Sequence, residues 1–182
     1  MSQDFYMGNP NLKKVGTEIQ FTQEQVKEYL KCKDDPVYFA RNYIKIISLD
    51  EGIVPFKMWD FQEELIESFH ENRFNIAKLP RQTGKSTTCV SYLLHYILFN
   101  DNVNVGILAN KLSTARDLLG RLQLAYEQLP MWLQQGIVVY NKGSMELENG
   151  SKILAASTSA SAVRGMSFNI IFLDEFAFIP NH

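Results

Sequence analysis

The 182-residue sequence predicts an α/β fold, a mainly parallel sheet flanked by helices behind a small helical N-terminal segment. Three observations predict it. From Phe74 onward, short apolar runs alternate with helix-length stretches, the order of β–α–β units. The last run, Ile170-Ile171-Phe172-Leu173, is continuously apolar, as a strand covered on both faces must be. A hydrophobic content of 46%, with 12% aromatic residues, is enough for a packed core and excludes disorder over most of the chain.

Each element follows from local chemistry. Met1 to about Phe21 carries Gly8, Asn9, Pro10 and Gly16 with no period and reads as an irregular arm. Thr22 with Gln25 forms a capping-box pair that opens a first helix. Asp35-Pro36 opens a second, Asp as N-cap and Pro in the first turn. A third runs from about Trp59 to Glu71, with Phe61, Leu65, Ile66 and Phe69 on one side. Phe74–Leu79 is predicted as a strand, Ser86–Phe99 as a helix, Val103–Ala109 as a strand and Ser113–Gln128 as an amphipathic helix. Ile137–Tyr140 is a short strand. Ser144–Leu147 and Lys152–Ala156 flank Asn149-Gly150, a strong hairpin signal. Asn169–Leu173 is the final strand. This divides the chain into an N-terminal arm and helical segment, 1–58, and a sheet-containing core, 59–182.

No apolar run approaches the ~18 residues of a membrane span, and the polar start lacks a secretory layout. Two distant cysteines, Cys32 and Cys89, make neither a disulfide framework nor a metal knuckle and suit a reducing compartment. His70, His95 and His182 have no zinc spacing. A net charge of −2 is not that of a basic nucleic-acid coat, so any DNA contact must be local. Lys111, Arg116 and Arg121 are candidates, although such charges more often form a solvated helix face.

The chemistry concentrates in Leu79-Pro80-Arg81-Gln82-Thr83-Gly84-Lys85-Ser86, between a predicted strand and a predicted helix, with Thr87 following. Gly84 lets backbone N–H groups approach phosphates. Lys85 offers a point charge and Ser86 a hydroxyl for Mg²⁺, while the helix aims its positive end at the anion. Leu79 stands where the usual pattern has its first glycine. Asp174 ends a buried strand, where open α/β sheets bind ligands, and can hold Mg²⁺ directly or through water. Glu175, next to it, is placed to polarise a water for attack on phosphorus. Arg81 can stabilise charge on the transferred phosphoryl group. Arg164, in Ser161-Ala-Val-Arg-Gly-Met-Ser-Phe168, is equally readable as a loop residue. The Gln62 amide can both donate to and accept from an adenine edge, with Phe61 beside it to stack.

Taken together, Leu-Pro-Arg-Gln-Thr-Gly-Lys-Ser (79–86), Val-Gly-Ile-Leu-Ala-Asn-Lys (105–111), Asn-Lys-Gly-Ser-Met-Glu-Leu-Glu-Asn-Gly-Ser (141–151), Ala-Val-Arg-Gly-Met-Ser-Phe (162–168) and Phe-Leu-Asp-Glu-Phe-Ala-Phe-Ile-Pro (172–180) resemble the large terminase subunit of tailed bacteriophages, T-even-like myophages above all. The resemblance runs from about Tyr6 to the end. It implies a RecA-like P-loop NTPase fold and the ATPase motor that drives viral DNA into an empty capsid, with ATP and Mg²⁺ as cofactors. It implies Phe61-Gln62 as adenine motif, residues 79–86 as a deviant Walker A loop with its arginine at Arg81, Asp174 as the Mg²⁺-linked Walker B aspartate and Glu175 as catalytic carboxylate. Arg164 then matches an arginine that reaches a neighbouring subunit's ATP. The implied partners are double-stranded viral DNA, the portal protein, the small terminase subunit and further copies in a ring, with no membrane, in the host cytoplasm at the procapsid portal. The sequence stops seven residues after Glu175, so the family's coupling motif and nuclease are not expected in it, and the sheet is expected to be incomplete at its C-terminal side. Two alternatives stand: a helicase-like nucleic-acid translocase, and a nucleotide-binding or assembly module without turnover.

Overall fold

A computed structural model of the chain describes residues 4–48, 50–158 and 165–175. After a 3₁₀ turn at Tyr6–Gly8 come helices α1 (Gln23–Asp34) and α2 (Pro36–Tyr43), then strands β1 (Lys45–Ser48) and β2 (Gly52–Pro55), then helix α3 (Asp60–Glu71). The second half runs α4 (Lys85–Phe99), β3 (Asn104–Ala109), α5 (Leu112–Glu127), β4 (Ile137–Tyr140), β5 (Ser144–Leu147), β6 (Lys152–Ser157) and β7 (Ile170–Leu173).

The helix starts follow the caps. The Thr22 hydroxyl accepts from the Gln25 N–H while the Gln25 carboxamide reaches back to the Thr22 N–H. Asp35 Oδ1 accepts from the Tyr38 N–H at 2.7 Å, and Pro36 fills the first turn. Helix α4 is apolar almost all round, and it is buried from Thr88 to Phe99 apart from Tyr96. It packs against α2, α3, α5 and β3. One continuous core therefore includes Cys32, Phe39 and Ile44 of the first fifty residues with Leu94, Ile107, Leu119 and Ile153.

The sheet order is β4-β5-β6-β3-β7. Its two pairings on β3 are parallel, with Ile107 opposite both Ala155 and Phe172, whereas β4–β5 and β5–β6 are antiparallel. The sheet is mixed, which corrects the expectation of a mainly parallel one. The reason is the Asn149-Gly150 turn, which joins β5 to β6 as a hairpin and so forces them antiparallel. Gly150 has φ +79°, as such a turn demands, and Asn149 is tied to the carbonyls of Ile97 and Asn100.

The predicted strand Phe74–Leu79 is also corrected: residues 75–80 have no regular structure. Phe74 is 84% exposed and Ile76 is 99% exposed, so apolar composition alone, without a pairing neighbour among the described residues, does not make a strand. Strand β7 has β3 on one side and no described strand on the other; Ile170 and Phe172 pack on the core while the opposite face, Ile171 and Leu173, is exposed, which corrects the expectation of a strand covered on both faces. Strands β1 and β2 form a separate antiparallel hairpin, with Ile47 opposite Ile53 and both exposed.

The N-terminal arm is fastened to the sheet by one carboxylate. Glu148 accepts from the Gly136 N–H at 2.6 Å, from the Gly16 N–H at 3.1 Å and from Lys13 Nζ at 3.1 Å. Partial burial opposes ionisation there, but the Gly136 and Gly16 N–H groups and Lys13 outweigh it and hold the carboxyl below its ordinary value. A depressed carboxyl pKa stabilises the fold above the unfolded value, near 4.5, and that contribution is lost as pH falls through the lower folded value. Glu148→Gln is expected to lower stability by about 2 kcal/mol at pH 7, the worth of a charge-assisted hydrogen bond. The gap to the parent should narrow on acidification below about pH 4. Urea midpoints at both pH values check this, and equal midpoints at pH 7 would refute it.

Candidate functional site

The site forms at the N-terminus of α4. Gly84 is the N-cap and sits in the left-handed region at φ +72°, and Gln82 lies there as well at φ +62°. The first helical hydrogen bond runs from the Thr88 N–H to the Gly84 carbonyl at 2.9 Å. The N–H groups of Lys85, Ser86 and Thr87 therefore face the open end of the helix, as the first turn of any helix leaves them. Among the described residues no protein partner is recorded for the Ser86 hydroxyl, and Lys85, Ser86 and Thr87 are half-buried. Leu79 is half-buried, and Pro80, Arg81 and Gln82 are exposed. Thr83 Oγ1 donates to the Pro80 carbonyl at 3.0 Å and closes the turn.

Gln62 is buried, 3% exposed, against this loop. Its Oε1 accepts from the Trp59 N–H and its Nε2 donates to the Thr83 carbonyl, each at 3.0 Å. One N–H and one lone pair of the carboxamide are thus engaged within the chain, and one of each remains. Phe61 is half-buried, with its ring centroid 5.6 Å from that of Trp59. Gly84 lies so close that a Cβ added there would stand 2.5 Å from Gln62 Nε2. Gly84→Ala is expected to cost about 1–2 kcal/mol from the left-handed backbone alone, plus the displacement of Gln62. The excess should vanish in a Gln62→Ala background, which a urea double-mutant cycle measures. Equal costs in both backgrounds would remove the contact from the explanation.

Asp174 follows β7 and is tied to β3 through its N–H, which donates to the Leu108 carbonyl at 2.9 Å. It is 9% exposed. Burial raises its carboxyl above the ordinary value and the neighbouring Glu175 charge adds to this, while Lys85 and, more weakly, Arg121 pull it back. The same proximity acts on Cys89, one turn into α4, whose thiol is pushed up to about 12 by burial and by Asp174. The loop lysine and the strand-end aspartate are thus electrostatic neighbours, although 89 positions separate them in sequence. Glu175 is exposed and has φ +51°, a strained conformation for a residue with a side chain.

The predicted residues Gln62, Thr83, Gly84, Lys85, Asp174 and Glu175 are brought to one end of the fold. Arg81 is at the loop surface. Arg164 lies outside the described residues, as does the segment 176–180. The sequence did not reveal the Gln62–Thr83 bond or the proximity of Cys89 and Arg121 to Asp174. The single pointer to the first was the Gln62 position three residues into a helix, where a carboxamide reaches its own cap. Lys111 and Arg116 are exposed on or beside α5, as a solvated face would be.

The donor set suits a magnesium triphosphate. It offers hard oxygens from Ser86 and Asp174, a lysine charge and helix-terminal N–H groups, and the Asp174 carboxyl, raised by burial, is one that a divalent cation would hold ionised. Among the described residues there is no cluster of three or more His, Cys, Asp or Glu side chains suited to a metal.

A family model described as the N-terminal part of the T4-like virus type of terminase large subunit matches residues 76–182. A crystal structure of the HK97 bacteriophage large terminase is similar in fold, with a TM-score of 0.67 at 16% sequence identity. That match covers 82% of this chain, and the chain spans 32% of the HK97 protein's length.

Proposed function

The chain belongs to the terminase large subunit family, in its T4-like N-terminal part, and on that premise we propose that it is the ATP-hydrolysing module of a phage DNA-packaging motor. The observation that carries the reading is the nearness of the buried Asp174, which follows β7, to Lys85 at the N-terminus of α4, whose charge acts on its carboxyl. Two groups of opposite charge, one desolvated and neither in an ion pair among the described residues, mark a place where a charged ligand completes the electrostatics.

In this reading residues 79–86 wrap the phosphates of ATP, with Thr87 contributing its N–H. Lys85 neutralises charge on the terminal phosphates, and Ser86 and Asp174 hold Mg²⁺. The cation, when bound, supplies charge neutralisation across the phosphate oxygens. Glu175 accepts a proton from the attacking water and orients it toward the phosphorus. Arg81 stabilises the charge of the transferred group from within the loop, and Arg164 is the second candidate for that task. The free N–H and lone pair of Gln62 read an adenine edge, with Phe61 beside it. Double-stranded DNA, the portal protein, the small subunit and further copies of the chain are the partners the family's work in packaging requires.

The reading is tested by phosphate release from Mg-ATP at high protein concentration, with and without double-stranded DNA. Release that needs Mg²⁺ and rises with DNA supports it. Nucleotide binding without release would reduce the chain to a binding module, and neither binding nor release would overturn the site.

A further inference from the structure

Beside Gln62 stands an aromatic residue that the sequence motifs do not single out. Trp59 is the N-cap residue of α3, and it is 60% exposed. An indole is largely buried in most folded proteins, so one left in water is informative where an exposed leucine is not. The other tryptophan, Trp132, is half-buried and packs on the core, with its ring centroid 5.8 Å from that of Tyr43.

The fold holds Trp59 by its backbone, and holds it next to the phosphate loop. Its N–H donates to Gln62 Oε1 at 3.0 Å, and Gln62 Nε2 donates to the Thr83 carbonyl at 3.0 Å. One carboxamide therefore bridges the Trp59 backbone and the loop two residues before Lys85. The Trp59 carbonyl accepts from the N–H groups of Gln62 at 2.8 Å and Glu63 at 3.3 Å. The indole's ring neighbour is Phe61, with centroids 5.6 Å and planes 31° apart. In this offset pair Phe61 is the half-buried, inner ring and Trp59 the exposed, outer one. The inner ring braces the outer one, which lowers the entropy that a ligand must remove to order it. A nucleotide with its phosphates on Lys85 and the α4 N–H groups meets the remaining N–H and lone pair of Gln62 with its base. That base is then within reach of Trp59, because Trp59 and Gln62 share a hydrogen bond.

We infer that the Trp59 indole is the stacking platform for the nucleotide base, with Phe61 as its support; this rests on the reading of residues 79–86 as a nucleotide phosphate site. Stacking engages the π face of a base and the Gln62 carboxamide its edge, so the two residues act on different parts of the same group. The test compares a ligand with a base and one without. Mg-ATP and Mg-tripolyphosphate are titrated calorimetrically into the parent, Trp59→Ala and Trp59→Phe. Trp59→Ala is expected to weaken Mg-ATP about tenfold, the loss of one base–aromatic contact, and to leave Mg-tripolyphosphate unchanged. Trp59→Phe, which keeps a ring, should recover part of the loss. The truncation removes an exposed side chain and keeps the backbone bonds that fix α3, so the variants fold. A Trp132→Phe variant leaves Trp59 as the single tryptophan, and its emission should be quenched by Mg-ATP and not by Mg-tripolyphosphate. Unchanged Mg-ATP affinity in Trp59→Ala, or a loss shared equally by Mg-tripolyphosphate, overturns the stacking role and leaves the phosphate site standing. Failure of both ligands to bind the parent overturns the phosphate site itself, and the stacking role with it.

Discussion

Lys85→Ala is expected to abolish the stabilisation that the proposed site predicts Mg-ATP to give the parent. Lys85 is the first residue of α4, half-buried, at the end where three N–H groups lie open and close enough to Asp174 to affect its protonation. A ligand present at 100 times its Kd stabilises by roughly 2.7 kcal/mol. For a chain of this size that is a rise of roughly 5–10 °C in Tm. Without the lysine, the triphosphate faces Asp174 and Glu175 with no fixed cation on the protein side, and the shift should fall within error of zero. The apo variant is also informative. Losing Lys85 removes the strongest attraction that opposes Asp174's raised pKa, so the unliganded variant should gain stability more steeply than the parent as pH falls. A group whose folded pKa is raised binds protons more readily in the native state, and stability rises as pH falls through that value. Equal Mg-ATP shifts in parent and variant would show that residues 79–86 are an ordinary loop leading into a helix.

Much of the fold could be read from local sequence because its signals are local. Thr22 and Gln25, Asp35 and Pro36, and Asn149-Gly150 act within a few residues of themselves, and each appears in the structure where its chemistry puts it. Gly84-Lys85-Ser86 belongs to the same class. What could not be read depends on partners distant in sequence. Phe74–Leu79 has the composition of a strand but makes no ladder among the described residues, and backbone pairing is decided by neighbours that composition does not name. The arm before Phe21 has no period, yet Leu12 is 3% exposed because Glu148, far along the chain, fastens Lys13 and Gly16. The β1–β2 hairpin escaped notice because Lys45-Ile46-Ile47-Ser48 and Gly52-Ile53-Val54-Pro55 are too short to show a polar–apolar alternation in sequence. The parallel expectation failed for a related reason. The hairpin signal was legible, but its effect on the sheet's direction depended on β6 being the strand that pairs with β3.

The second large effect separates stability from catalysis at one residue. Glu175→Gln should lower phosphate release by about 10²–10⁴-fold, the contribution of a positioned general base, and should leave the Mg-ATP thermal shift in place. A carboxamide keeps the size of the side chain but cannot take a proton from water. It also removes a negative charge beside Asp174, so binding of the triphosphate should be equal or tighter. Glu175→Gly supplies the independent check. Glu175 holds φ +51°, a conformation that costs a residue with a Cβ about 1–2 kcal/mol and glycine almost nothing. The glycine variant should therefore be more stable than the parent in urea, by up to about 1 kcal/mol after glycine's larger unfolded-state entropy is deducted, while it is as inactive as the glutamine variant. A residue retained in a strained conformation only for packing would lose stability on substitution. One retained for chemistry gains stability and loses rate. Turnover within about tenfold of the parent in Glu175→Gln would take the general base away from Glu175, and a less stable Glu175→Gly would show that the strained turn serves the fold rather than the reaction.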